Sequence, residues 1–430
     1  GKAMSEYRIE GGFPIRGTIT VSGNKNAALP CIAATLLTSE PVTLHNIPDI
    51  ADTAVMLEIL KALGASVKSA GKNSWTIHAQ NIHDCDIPVE LSKKIRASIL
   101  FAGPLLARCG KVSMNPPGGD VIGRRRLDTH FLALTELGAR VNIDGRFTFT
   151  ANKLAGTDLF LDEASVTATE NALMAASLAG GTTVITNAAC EPHVQDLCRM
   201  LNAMGAKISG CGSNILRIEG VKELKGCEFK IGADFMEVGS FIGLAAATKG
   251  SIEIKGVQNC DLRPIKLSFG KLGIHWETAG DTIKVGAAQE MQINTDLGGM
   301  IPKIDDAPWP GFPPDLTSIM TVVATQVKGT VLIHEKMFES RMFFVDKLIG
   351  MGARIILCDP HRAVVSGPCT LHGDEELSSP DVRAGMAIVI AALCARGTSV
   401  IRNVYQVERG YENLTERLKK LGAHIERIDR

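Results

Sequence analysis

The sequence predicts an α/β protein of two domains, built from six copies of one unit. Three observations predict it: a helix-end signature that occurs six times, an apolar helix followed by a Thr/Val-rich strand between those marks, and a chain of 430 residues, too long for one ordinary core. The signature is an apolar residue, Gly, usually Ala, then a strand. It reads Leu63-Gly64-Ala65, Leu137-Gly138-Ala139, Met204-Gly205-Ala206, Leu272-Gly273-Ile274, Met351-Gly352-Ala353 and Leu421-Gly422-Ala423. The copies lie roughly 70 residues apart, the scale of a supersecondary unit. Glycine just past a helix adopts the left-handed conformation without a Cβ penalty, so each mark is read as a helix C-terminus. The alternation that follows, as in Arg140-Val141-Asn142-Ile143, predicts a strand.

Between the marks, apolar helices are expected over residues 171–180, 239–247 and 384–395, with strands at 182–186, 251–254 and 398–401. These helices are apolar on nearly all sides, so they belong inside the fold. One unit cannot bury such a helix alone, but three packed together can. The expectation is therefore three repeats per domain, each with two helices, one of them interior, and several strands.

Composition narrows the function. Lys plus Arg and Asp plus Glu number 46 each, which leaves no global field for nucleic acid or a membrane surface. An anionic substrate must then be met by local cations. Aromatic residues are only 5%, too few to suggest base-stacking platforms. The eleven cysteines form no CxxC pair, and no His cluster has metal spacing; they read as buried thiols of a reducing compartment. Apolar runs fall short of the roughly 20 residues that span a bilayer. No leader-like segment precedes Met4, Gly1-Lys2-Ala3 reads as a cloning remnant, and the expected location is the cytoplasm.

Specific motifs lie over this repeat pattern. They are Val21-Ser22-Gly23-Asn24-Lys25-Asn26-Ala27-Ala28, Arg96-Ala97-Ser98, Pro117-Gly118-Gly119-Asp120-Val121-Ile122-Gly123-Arg124-Arg125, Phe312-Pro313-Pro314-Asp315, Phe338-Glu339-Ser340-Arg341, Asp381-Val382-Arg383-Ala384 and Glu408-Arg409-Gly410-Tyr411. In this order, over essentially the whole chain, the sequence resembles the UDP-N-acetylglucosamine 1-carboxyvinyltransferases. The resemblance implies the enolpyruvyl transferase fold: two inside-out α/β barrels, each with three βαβαββ-like units. It implies one domain over residues 25–232 and a second made of 1–24 with 233–430, with crossings near Lys25 and Ala233 and substrates bound in the cleft between.

The implied reaction joins the 3-hydroxyl of UDP-N-acetylglucosamine to C2 of phosphoenolpyruvate and releases phosphate, without cofactor or metal. Lys25, Arg125 and Arg409 match phosphoenolpyruvate-binding positions, where an arginine fork suits carboxylate and phosphate and lysine acts as a point charge. Asn26 and Arg96 match residues facing the sugar and its pyrophosphate, and Asn26 also borders the phosphoenolpyruvate pocket. Asp381 and Arg383 match positions near that pocket, or form a structural ion pair. Asp315 matches the residue at the sugar 3-hydroxyl, assigned as general base; its alternative is a turn aspartate after proline. Asp120 stands where many members carry a cysteine that acts as general acid and is alkylated by fosfomycin. An aspartate there predicts an acid that resists that epoxide, provided its pKa is raised; the alternative is a plain loop aspartate.

The segment 116–126 reads as a mobile lid loop over phosphoenolpyruvate. Arg125, Arg126, Leu127, Asp128 and Thr129 match the nucleotide segment, with Asp128 the uracil reader. Ser165, Val166 and Thr167 match a second nucleotide segment, where amide groups opening a helix hold a diphosphate oxygen or Ser165 is simply an N-cap. Thr167 replaces a family Gly and Arg126 a common Pro. Met337 completes the UDP-sugar set. The partners expected are these two small molecules, with neither nucleic acid nor membrane, in a monomer or weak homo-oligomer. The competing readings are the shikimate-pathway transferase, transfer to another uridine nucleotide, and a non-catalytic UDP-sugar sensor.

Overall fold

The repeat is plainest in residues 158–219. A strand, Asp158–Phe160, leads into an inner helix, Val166–Ser177, and a strand, Thr182–Thr186; an outer helix, Pro192–Ala203, then leads to the hairpin Lys207–Ser209 and Ile215–Glu219. Thr182–Thr186 pairs parallel with Asp158–Phe160 across the helical crossover and antiparallel with Ile215–Glu219, and Lys207–Ser209 takes the far edge. This is a βαβαββ unit. In the computed structural model, which describes residues 5–116, 123–337 and 344–429, five sheets have this four-stranded order. The sixth, Lys111–Met114 with Arg140–Asp144 and Arg146–Thr150, has three strands, and its parallel partner shrinks to a bridge between Asp86 and Ser113.

The chain divides into two compact units, Gly23–Gly232 and Gly1–Ser22 with Ala233–Arg430. Each contains three of the sheets and its own apolar core. The strand just before the inner helix Lys25–Ala34, Arg16–Thr20, pairs parallel with Ser251–Lys255 in the second of these units. Glu228–Lys230, just before the inner helix Phe235–Ala247, pairs parallel with Pro41–His45 in the first. Each unit thus completes its third sheet with a strand from the far end of its own sequence.

All six signature glycines have positive φ, from 71° at Gly273 to 109° at Gly138 and Gly352, the region the C-terminal turn requires. The strand after each of them lies at a sheet edge. All thirteen residues of Phe235–Ala247 are buried, as are all eight of Thr317–Ala324. Full burial of one side chain such as Phe241 contributes about 2–3 kcal/mol, so these helices anchor their cores.

Two inner helices begin earlier than the apolar pattern predicts, at Phe235 and Val382, whereas the third begins at Val166, where the motif Ser165-Val166-Thr167 is read as opening a helix. Their caps Ser165, Asp234 and Asp381 precede polar residues that interrupt the apolar run. Yet Glu170, Glu237 and Arg383 are themselves buried, so polarity there does not mean solvent. The expected loop 116–126 is also corrected, because the outer helix Gly123–Glu136 starts inside it. The thiols are not uniformly buried either: Cys211, Cys260 and Cys358 are exposed.

Candidate active site

In the unit Gly23–Gly232 the predicted residues cluster at helix starts. Asn24 opens Lys25–Ala34: its side chain accepts the Asn26 N–H at 2.9 Å, while its own N–H donates to the Gly232 carbonyl at 2.8 Å. Gly23 before it cannot be another residue, since a Cβ would stand 1.8 Å from the Asn46 carbonyl oxygen. Pro30 has no N–H for the Asn26 carbonyl, which is therefore left without its ordinary intrahelical donor. Lys25 places its Nζ 2.8 Å from Oδ2 of Asp52, in the first turn of Ala51–Ala62. The lysine side chain is 16% exposed and the carboxylate 8%, so the charge is oriented from beneath and still reaches solvent.

Two further helices are tied together. His130 is buried on Gly123–Glu136. Its Nδ1 lies 3.0 Å from the Asn171 amide nitrogen, a donor, so Nδ1 accepts and the proton sits on Nε2. Nε2 then donates to the Thr167 hydroxyl at 3.0 Å. Burial holds the His130 pKa down to about 4, which keeps the ring neutral. Asn171 also donates to the Ile99 carbonyl at 2.9 Å and accepts from the Gly103 amide at 2.8 Å. That fixes the turn Arg96–Phe101, on which Arg96 is exposed.

One network thus positions the segments carrying Arg96, Asp128 and Thr167. Asp128 is exposed, whereas Leu127 is in the core and the buried Thr129 donates to Asp162 at 2.9 Å. Ser165 caps Val166–Ser177 by accepting the Ala168 N–H at 3.2 Å, and the first helical amides, Val166 and Thr167, face out of the helix end. Asp120 lies outside the described residues, as do the side chains of Arg125 and Arg126.

The unit of Gly1–Ser22 and Ala233–Arg430 is organised around Arg383. This buried guanidinium lies 5.1 Å over the Tyr411 ring, with Nη2 3.9 Å from the Met236 sulfur. Burial would lower its pKa, but Tyr411, Asp234 and Asp315 outweigh burial and hold the charge. Asp234 caps Phe235–Ala247 through the amides of Met236 and Glu237, at 3.0 and 3.2 Å. Burial pushes its carboxyl up to about 6 although Arg383 and those amides pull it down. Tyr411 joins the cluster through a 2.6 Å bond to Ser240. Among the described residues, Nη1 of Arg383 has no hydrogen-bond partner.

Asp315 is half-buried in the turn Pro314–Leu316 that opens Thr317–Ala324. Asp381 caps Val382–Cys394, accepting from the amides of Arg383 and Ala384 at 3.0 and 2.9 Å. Arg409 ends the short helix Tyr405–Glu408, with Nη1 3.5 Å from Gln406. At Gly410 beside it a Cβ would stand 2.1 Å from a Val382 methyl, so a larger residue there would have to displace that side chain. Met337 is exposed, and its N–H donates to Asp306 at 3.3 Å.

A family profile described as EPSP synthase (3-phosphoshikimate 1-carboxyvinyltransferase) matches residues 9–418. The chain belongs to the EPSP synthase family. Among its relatives, the UDP-N-acetylglucosamine 1-carboxyvinyltransferase of Treponema denticola is 70% identical over 423 residues, covering 98% of this chain and 99% of that one. The protein of the same name from Treponema pallidum is 67% identical, with the same coverage of both chains. Among solved structures, the enolpyruvyl transferase NikO from Streptomyces tendae superposes with a TM-score of 0.87 at 25% identity, over 99% of both chains. EPSP synthase from Acinetobacter baumannii superposes at 0.77 with 18% identity, over 99% of this chain and 100% of that one, which is a likeness of fold.

In this EPSP synthase family member, Lys25 and Asn26 share one helix start, the helices Gly123–Glu136 and Val166–Ser177 share the His130 bridge, and Asp315 joins Arg383. Asp52, His130, Asp234 and Tyr411 received no role in the sequence reading. Asp234 carried a signal, as an acid just before an apolar run at a cap position; His130 carried none.

Proposed function

We propose that this chain transfers the carboxyvinyl group of phosphoenolpyruvate to the 3-hydroxyl of UDP-N-acetylglucosamine, releasing phosphate, as a step towards peptidoglycan precursors in the cytoplasm. The observation that carries the proposal is 70% identity, across nearly the whole length, to a protein named for that reaction. The substrates are two small anionic molecules; no nucleic acid, membrane, metal or cofactor is assigned a part, and the chain acts as a monomer or weak homo-oligomer. No helix among the described residues is long and apolar enough to cross a membrane.

The chemistry is addition followed by elimination. The sugar oxygen bonds to C2 of phosphoenolpyruvate while its proton leaves to a base and another proton reaches the methylene carbon. The bond from C2 to the phosphate oxygen then breaks, and a proton leaves the new methyl group to restore the vinyl double bond. Asp315 is assigned the hydroxyl proton and Asp120 the carbon proton. Lys25, Asn26, Arg125 and Arg409 bind the donor's carboxylate and phosphate, with Asp381 and Arg383 supporting them.

Arg383 has an unused donor and a charge secured by two carboxylates, which suits it to an anionic ligand. Lys25, oriented by Asp52, suits a point contact with phosphate. Asn26, Arg96, Arg125, Arg126, Leu127, Asp128, Thr129, Ser165, Val166, Thr167, Asp315 and Met337 are assigned to the UDP-sugar. For Leu127 and Thr129, which are buried, this means shaping the segment rather than touching the ligand.

The deciding assay is phosphate release from phosphoenolpyruvate with UDP-N-acetylglucosamine, UMP or shikimate 3-phosphate as acceptor. Release with the UDP-sugar alone is expected, along with persistence of activity in fosfomycin. Release only with another acceptor would reassign the substrate. UDP-sugar binding without any release would make the chain a sensor.

A further inference from the structure

Arg409, assigned to phosphoenolpyruvate, is carried by a single helical turn. The helix Tyr405–Glu408 has four residues and ends at Arg409, whose N–H donates to the Tyr405 carbonyl at 3.1 Å. One turn is not stable by itself in water, so tertiary contacts must fix the direction in which the Arg409 side chain leaves. Part of that support is packing. Val407 is buried, and its methyl would stand 2.5 Å from a Cβ at Gly385, on the inner helix Val382–Cys394. Apolar contact is non-directional, so it seats the turn without setting its rotation.

The directional support is polar, and Glu408 receives it. Its Oε2 accepts from the Tyr7 hydroxyl at 2.8 Å and from Nε of Arg427 at 2.9 Å. Its Oε1 accepts from Nη2 of Arg427 at 3.1 Å. The arginine contact is bidentate, which fixes the plane of the carboxylate as well as its distance. Tyr7 lies on the strand Glu6–Gly11 and Arg427 on His424–Ile428, directly opposite each other in the antiparallel register. Period two puts Arg427 on the same face of its strand as the buried Ile425, the face that Tyr7 shares. Nη1 of Arg427 is held in turn by Asp429, which also accepts from the Ser5 hydroxyl at 2.6 Å. Burial and the Glu408 carboxylate raise the Tyr7 pKa, so the phenol stays protonated and donates. The donors are thus built into the sheet, and the carboxylate they hold belongs to the residue immediately before Arg409. Two residues after Arg409, Tyr411 is tied to Ser240 at 2.6 Å.

We propose that Glu408 is a positioning residue for Arg409, with Tyr7 and Arg427 as the fixed points that orient it. The inference rests on the assignment of Arg409 to the carboxylate and phosphate of phosphoenolpyruvate. Glu408 acts by raising the fraction of molecules whose Arg409 fork is in place before the anion arrives. Apparent affinity falls in proportion as that fraction drops. The ion pair is partly open to water, with 27% of the Glu408 side chain and 31% of the Arg427 side chain exposed. A pair this exposed contributes little to global stability, so its loss loosens the turn without unfolding the chain.

The test is steady-state kinetics of phosphate release by the full chain, with phosphoenolpyruvate and UDP-N-acetylglucosamine varied in turn. Glu408→Gln keeps an acceptor for Tyr7 but breaks the bidentate contact. It should raise the KM for phosphoenolpyruvate about tenfold, the shift for a competent fraction of about a tenth, and leave the KM for the UDP-sugar unchanged. Arg427→Met should do the same, and Tyr7→Phe, which removes one hydroxyl, should raise it about threefold. Arg409→Ala sets the limit. Adding Glu408→Gln to it should change nothing further, because a group that acts through Arg409 then has nothing to position. The proposal is overturned if Glu408→Gln raises both KM values alike, if it leaves both unchanged, or if it weakens phosphoenolpyruvate further once Arg409 is gone. Absence of release by the wild type overturns the assigned reaction itself, and this inference with it.

Discussion

Two regions of the molecule solve the burial of polar groups at inner helices in opposite ways. Around Val166–Ser177, His130, Asn171 and Thr167 form a chain of neutral hydrogen bonds in which each donor finds an acceptor. Around Phe235–Ala247 and Val382–Cys394 the solution is ionic: Arg383 set among Asp234, Asp315 and the Tyr411 ring. A neutral network needs geometry but little charge compensation. An ion cluster must recover the desolvation of every charge, so it fails abruptly when one member is lost. Glu170, on the neutral side, shows what happens without a cation. Among the described residues its Oε2 has no hydrogen-bond partner, and burial together with Glu191 raises its carboxyl pKa well above the ordinary range.

The largest expected effect breaks the ionic side. Arg383→Met leaves Asp234 and Asp315 without their cation and should cost about 3–5 kcal/mol, read as a shift of the urea midpoint at constant slope. A loss below about 1 kcal/mol would mean that the cluster contributes little, and that the arginine is retained for ligand binding alone.

Next comes the acid limb of the neutral side. His130 has a folded pKa of about 4 against an ordinary 6.5, so the unfolded chain binds its proton first. The stability this provides is complete above about pH 6.5 and is lost as pH falls through about 4, a total of about 3 kcal/mol. Asp234 works in the reverse sense. Its folded pKa, raised to about 6 from 3.8, gives stability that is full below 3.8 and lost as pH rises through about 6. His130→Gln should therefore flatten the loss of stability between pH 6.5 and 4, as measured by urea titrations at several pH values. An unchanged acid limb would rule the neutral imidazole out as its source.

The smallest effect sharpens the comparison. With its folded pKa raised, Glu170 contributes stability that is present below its ordinary 4.5 and declines as pH rises above it. Glu170→Gln keeps the shape and removes that decline, so it should gain about 1 kcal/mol at neutral pH. A loss of stability there would show that the carboxylate has a charged partner after all.

Much of the architecture was readable without coordinates, and for a local reason. A glycine that ends a helix acts through its own backbone angles, and an apolar helix reports its burial through its composition. The six marks from Leu63-Gly64-Ala65 to Leu421-Gly422-Ala423 therefore disclosed six repeats. Helix starts were less legible, because Glu170, Glu237 and Arg383 look like surface residues in one dimension. The site was legible only where the resemblance supplied motifs such as Lys25-Asn26 or Asp381-Val382-Arg383.

The sequence by itself determined the repeat, the helix ends and the apolar interior, since those depend on propensity and pattern within a few residues. Tertiary structure decided what the isolated polar residues do. Asp234 and Arg383, or His130 and Thr167, are distant in sequence, and their states depend on which neighbours long-range packing provides. A pKa is set by the charges and burial around a group, and no spacing rule contains those.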